Sequence, residues 1–134
     1  MIKEIPKADL HIHLDGSLRI TTLLDLAKKY QVELPGSTPQ ELKKTLFPDN
    51  YASLDEYLKG FLYIGQCLKA PEDFERIAYE LAIDVASDGV AYIEPIVSPH
   101  LHCHDKMSDR EVLEAVDRGL KKAQKEINSK LAPN

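Results

Sequence analysis

Between Asp9 and Gly16 the chain alternates without a break: Asp9-Leu10-His11-Ile12-His13-Leu14-Asp15-Gly16. A period of two is the period of a strand, in which successive side chains point to opposite faces. The pattern predicts Ala8, Leu10, Ile12 and Leu14 on one face and Asp9, His11, His13 and Asp15 on the other. Two imidazoles beside two carboxylates, with no apolar neighbour between them, read as one wall of a metal site. The structural alternative is a pair of hydrogen-bonded core histidines. Two ligands do not complete a zinc site, which takes at least three from the protein. In parallel α/β folds ligands gather at the carboxyl ends of strands, and both histidines lie near such an end.

Helical periodicity follows. Leu23, Leu24, Leu26, Ala27 and Tyr30 make one broad face of a helix over 21–30, broken by Pro35-Gly36. Thr38-Pro39-Gln40-Glu41 and Ser53-Leu54-Asp55-Glu56 have the form of capping boxes, and the second opens a helix to about Leu68. Pro71-Glu72-Asp73 starts a further helix with its acids against the positive dipole end. Its apolar residues Phe74, Ile77, Ala78, Leu81, Ala82 and Val85 form one stripe, and Asp88-Gly89 ends it. A second strand is expected over 90–97. Ser108-Asp109-Arg110-Glu111 caps a last helix to about Ser129.

Strand, helices, strand, helix is the order of a parallel α/β sheet. Two parallel strands leave both edges open, and a closed eight-stranded barrel needs roughly 250 residues. The 134 residues therefore read as the opening third to half of a larger α/β structure. A net charge of −5 argues against nucleic acid or an anionic membrane as partner. Cys67 and Cys103 show no pairing pattern, and neither a leader nor an apolar run of membrane length is present. A cytoplasmic protein is the expectation.

Three further groups stand out. Ser98-Pro99-His100-Leu101-His102-Cys103-His104-Asp105 is rich in ligand types, but Pro99 and its polar company read mainly as a solvated loop. Leu54, Tyr57, Leu58 and Phe61 have the spacing of core residues, with an apolar wall over a ligand as the alternative. Gly60 and Gly65 weaken that helix by about 1 kcal/mol each against alanine, which suits a movable lid. Glu94 shares a face with Val90 and Tyr92, and if buried needs a partner or a proton.

Residues 7–17, Lys-Ala-Asp-Leu-His-Ile-His-Leu-Asp-Gly-Ser, resemble the N-terminal signature of the adenosine deaminases. The likeness continues in order through residues 54–61, 76–80, 88–94 and 98–101. The resemblance implies that residues 1–134 are the N-terminal part of a single domain, a zinc-dependent TIM-type (β/α)8 barrel with two parallel strands and several helices in this part, that hydrolyses adenosine or deoxyadenosine to the inosine product and ammonia, in purine salvage. By resemblance His11 and His13 are zinc ligands and Asp15 contacts the ribose end of the nucleoside. Leu54, Tyr57, Leu58 and Phe61 form an apolar substrate gate. The family's remaining ligands and its proton-shuttling glutamate have no counterpart here. No catalytic residue is assigned within this chain, and by itself it is expected to be inactive. Pro95 and Ile96 depart from the family, which usually has a branched apolar residue and often an arginine there.

Adenine or other purine aminohydrolases share the fold, but Asp15 after His-x-His-Leu favours the nucleoside enzymes. Metal-dependent phosphoesterases also open with Asp-Leu-His-x-His, yet continue with Ser or Thr where Leu14-Asp15-Gly16 stands. A non-catalytic metal-binding module built on His11, His13 and the 100–104 cluster is the remaining alternative. The expected partners are a purine nucleoside and, through the open strand edges, a second copy or a complementing C-terminal part.

Overall fold

Strands β1 (Lys7–His13) and β2 (Val90–Ile96) pair side by side in parallel. Parallel neighbours cannot be joined by a tight turn, so all that lies between them is crossover. That crossover holds helices α1 (Ile20–Tyr30), α2 (Pro39–Thr45), α3 (Leu54–Cys67) and α4 (Pro71–Ser87), and α5 (Asp109–Leu131) follows β2. The computed structural model describes residues 2–102 and 107–131. The expectations attached to Cys103, His104 and Asp105 lie outside the described residues.

Local hydrogen bonding explains most helix boundaries. At α2 the Glu41 N–H donates to Thr38 Oγ1 and the Thr38 N–H to Glu41 Oε2, both at 3.2 Å, so the capping box is closed. Ser108 and Glu111 close the same box at α5, at 2.8 and 3.3 Å. At α3 the box is only half made. Ser53 Oγ accepts the Glu56 N–H, but Glu56 Oε2 takes the N–H of Ala52 instead of that of Ser53. Helix α1 stops before Pro35-Gly36, because Gln31 turns left-handed at φ 55° and its N–H closes on the Ala27 and Lys28 carbonyls. Gly89, at φ 80°, makes the turn from α4 into β2 as its sequence position predicts.

Polar clasps join α1 to α4. Asp73 is 2% exposed, yet fully engaged. Its Oδ1 accepts from Lys29 Nζ at 2.8 Å, and its Oδ2 from Tyr30 Oη and the Lys69 and Ala70 N–H groups. Buried Thr22 donates to Glu80 Oε2, while Arg76 bridges Glu80 and Asp25. Arg19 grips Asp84 through two nitrogens, a bidentate fork.

The apolar core lies on one side of the sheet. Leu14, Leu23, Leu26, Leu42, Ile64, Phe74, Ile77, Ala78, Val112 and Ala115 are all buried in it. From the strands only Ile12 and Ile93 reach it, and both remain partly exposed. Leu10 and Tyr92 are 61% and 56% exposed. The sheet is thus a margin of the core, as one side of an unclosed barrel would be. Among the described residues no helix is long and apolar enough to cross a membrane.

At Gly119, helix α5 lies directly against the backbone of α4. A Cβ there would lie 2.2 Å from the carbonyl oxygen of Glu75 and 3.0 Å from Ala78 Cβ. Backbone cannot yield as a side-chain tip would, so the helices must part. Gly119→Ala is expected to cost about 1–3 kcal/mol, measured by urea unfolding, and Gly119→Val more.

Candidate functional site

The site forms where β1 ends. Leu14 is 1% exposed, and its N–H donates to the Ile96 carbonyl at 3.0 Å, carrying the β1–β2 ladder one residue past the strand. This anchor fixes the direction of its neighbours. His13 precedes it, and the 3-10 turn Asp15–Ser17 follows, tied back by Ser17 Oγ donating to the His13 carbonyl at 2.6 Å.

His11 and His13 share a side of the backbone, with ring centroids 5.4 Å apart. Both are exposed, and among the described residues neither imidazole makes a hydrogen bond. Buried core histidines would be hydrogen-bonded, so the core alternative does not describe them. Two imidazoles side by side at a strand terminus are of the residue type that ligates zinc, but two ligands alone do not make a zinc site. Among the described residues no group of three or more His, Cys, Asp or Glu side chains converges on one point.

The predicted four-residue polar wall breaks at Asp9. Asp9 pairs with Ile93 but Ile12 pairs with Pro95, so β1 carries one extra residue between them. A bulge of this kind interrupts the alternation. Asp9 Oδ1 turns back to accept the His11 N–H at 3.1 Å, an attachment that period-two reasoning does not foresee.

Asp15 stands beside His13, its carboxylate 17% exposed. Oδ1 accepts the Gly16 N–H at 2.9 Å, and Oδ2 faces His102 Nε2 at 3.6 Å. The His102 imidazole holds the Asp15 carboxyl below its usual range; burial works the other way, and the Gly16 N–H adds to the lowering. The solvated-loop expectation is therefore wrong for His102, whose side chain is only 6% exposed and packs edge-on to Phe74. It holds for His100, which is exposed on a 3-10 turn, Pro99–Leu101.

The core expectation for α3 is also corrected. Leu54, Tyr57 and Leu58 are 69%, 44% and 45% exposed, so they are a bare apolar row, not interior. The row is continuous. Tyr51 meets Tyr57 and Tyr57 meets Phe61, edge to face, at 5.2 and 5.5 Å. Phe61 ends on Gly16, where an added Cβ would lie 3.2 Å from its ring and 3.8 Å from His13 Cβ. The apolar wall thus begins against the histidine turn. Gly60 is there for contact: a Cβ would lie 2.9 Å from the Phe47 ring. Gly65 has open space, and nothing in the packing explains it.

Glu94 is exposed, not buried, and accepts from Tyr92 Oη at 2.8 Å, which raises the tyrosine pKa. Ile12 and Ile93 face the helices, so His13, Tyr92 and Glu94 line the opposite face, the inner one in a closed barrel.

A parallel two-stranded sheet with helices on one face and exposed polar side chains at the carboxyl end of its first strand is one side of an α/β barrel. An amidohydrolase from Burkholderia ambifaria, crystallised with zinc, superposes with a TM-score of 0.74 over 92% of this chain and 33% of its own, at 21% identity. The adenosine deaminase family model matches residues 6–131, and the chain belongs to that family. It is 44% identical over 124 residues to an adenosine deaminase of Clostridium botulinum, covering 92% of this chain. An Arabidopsis N6-methyl-AMP deaminase is similar at 32% identity and a TM-score of 0.74, covering 91% of this chain and 36% of that one. The chain spans 37% of the length of the Clostridium relative.

The contact between Phe61 and Gly16 predicts a coupling. Gly16→Val is expected to destabilise by about 1–3 kcal/mol in chemical denaturation, and Phe61→Leu in the same chain to restore part of that loss.

Proposed function

We propose that the protein is a zinc-dependent adenosine deaminase, hydrolysing adenosine or deoxyadenosine to inosine or deoxyinosine and ammonia. The observation that carries this reading is the pair of imidazoles of His11 and His13 at the exit of β1, neither hydrogen-bonded among the described residues, in a chain of this family. His11 and His13 would hold the metal, with further ligands from parts of the protein outside these 134 residues. Zinc, when bound, supplies a Lewis acid that lowers the pKa of water at neutral pH.

The remaining residues bind and shield. Asp15 accepts a hydrogen bond from a hydroxyl at the ribose end of the nucleoside. Leu54, Tyr57, Leu58 and Phe61 cover the base and exclude water, which strengthens every polar contact beneath them. A fixed carboxylate at the ribose end favours a neutral hydroxyl over a phosphate, by like-charge repulsion. That supports nucleosides over nucleotides, and free adenine offers Asp15 nothing to bind. Residues 1–134 are one part of a single barrel domain, in a cytoplasmic enzyme of purine salvage. Alone they have no deaminase activity, and the exposed Leu10 and Tyr92 at the sheet margin favour self-association or capture of the complementary part.

The test is the fall in adenosine absorbance with the full-length protein. Turnover that is lost to a chelator and restored by zinc is expected. His13→Ala is expected to lower it by at least roughly 100-fold. Full-length protein that leaves adenosine unchanged with zinc present overturns the reading, as does turnover by residues 1–134 alone.

A further inference from the structure

His102 presents a puzzle that the proposed chemistry leaves untouched. Its side chain is 6% exposed, its ring lies 5.2 Å from that of Phe74, and Nδ1 is buried with no hydrogen-bond partner among the described residues. A neutral imidazole has one N–H and one bare nitrogen. With that N–H on Nε2, toward the carboxylate, Nδ1 is an acceptor with no donor among the described residues. Buried polar groups are ordinarily satisfied, and one that is not calls for a reason. A leucine would fill the same space beside Phe74 with no orphaned atom. What a leucine lacks is the N–H directed at Asp15 Oδ2, 3.6 Å away.

Asp15 has two attachments. The Gly16 N–H holds Oδ1 from the turn after β1, and His102 faces Oδ2 from the loop after β2. The backbone of His102 is itself fixed, its N–H donating to the Pro99 carbonyl at 2.8 Å. Carboxylate oxygens have about four acceptor positions between them, so both attachments leave room for a substrate hydroxyl. Contacted from the turn after β1 and the loop after β2, the carboxylate has both oxygens engaged, which restricts its rotation about the Cβ–Cγ bond before substrate arrives.

We propose that His102 is a positioning residue for Asp15, fixing its second oxygen from the β2 loop so that the carboxylate meets the terminal hydroxyl of the ribose. The proposal rests on the deaminase reading above. His102 touches no reacting atom and acts only through Asp15.

The test compares adenosine with 5′-deoxyadenosine, which lacks the hydroxyl, in the full-length enzyme with zinc bound. His102→Leu keeps the volume and removes the donor. It is expected to lower kcat/KM for adenosine on the order of 10- to 100-fold, while the value for 5′-deoxyadenosine changes less than about threefold. His102→Gln, whose amide N–H can reach the same oxygen, is expected to recover most of the loss. A merely structural role would lower both substrates together. Equal losses on the two substrates, or no loss on either, would overturn the proposal, and so would a glutamine variant no better than leucine in protein that melts like wild type. A wild-type enzyme inactive on both substrates would instead overturn the deaminase reading, and this proposal with it.

Discussion

The parallel pairing of β1 with β2 requires a long detour of chain between them, and the detour is where most of the core is made. Four helices fill it, and α4 brings the chain back so that Gly89 can turn it into β2 beside β1. Leu14 is where this constraint becomes a site. It is both the last rung of the ladder, through Ile96, and a fully buried core residue. The residues on either side of it, His13 and Asp15, are thereby set at the carboxyl end of β1, where the loop after β2 brings His102 to Asp15.

The division of labour between the two sheet faces follows from that arrangement. Ile12 and Ile93 turn to the helices and join the core. The other face carries imidazoles, a carboxylate and a phenol, which a core of this size could not bury without partners. Clasps such as Asp73 with Lys29 and Tyr30, or Arg19 with Asp84, tie α1 and its N-cap to α4.

Features governed by neighbours in sequence were readable from the residues alone. The boxes at Thr38 and Ser108, the stripe from Phe74 to Val85 and the left-handed glycine at 89 depend on spacings of a few residues, and the fold honours them. The pairing of His11 with His13 was readable for the same reason. Features set by distant partners were not. Period-two reasoning carried Asp9 along with the histidines, but the register against β2 slips beside it. Helical spacing grouped Leu54, Tyr57 and Leu58 correctly and could not say whether anything covers them. His102 looked like part of a polar loop, since nothing in its own segment reveals that Phe74 and Asp15 wait at the other end. The left-handed Gln31 had no glycine to announce it.

The ring of Phe61 resting on Gly16 has a mechanical meaning. Gly16 is three residues from His13, so α3 and the histidine turn have no slack between them. Any outward swing of α3 must peel the ring off that glycine, beside the Cβ of His13. The placement of α3 and the conformation of the turn after β1 are therefore coupled through this one contact.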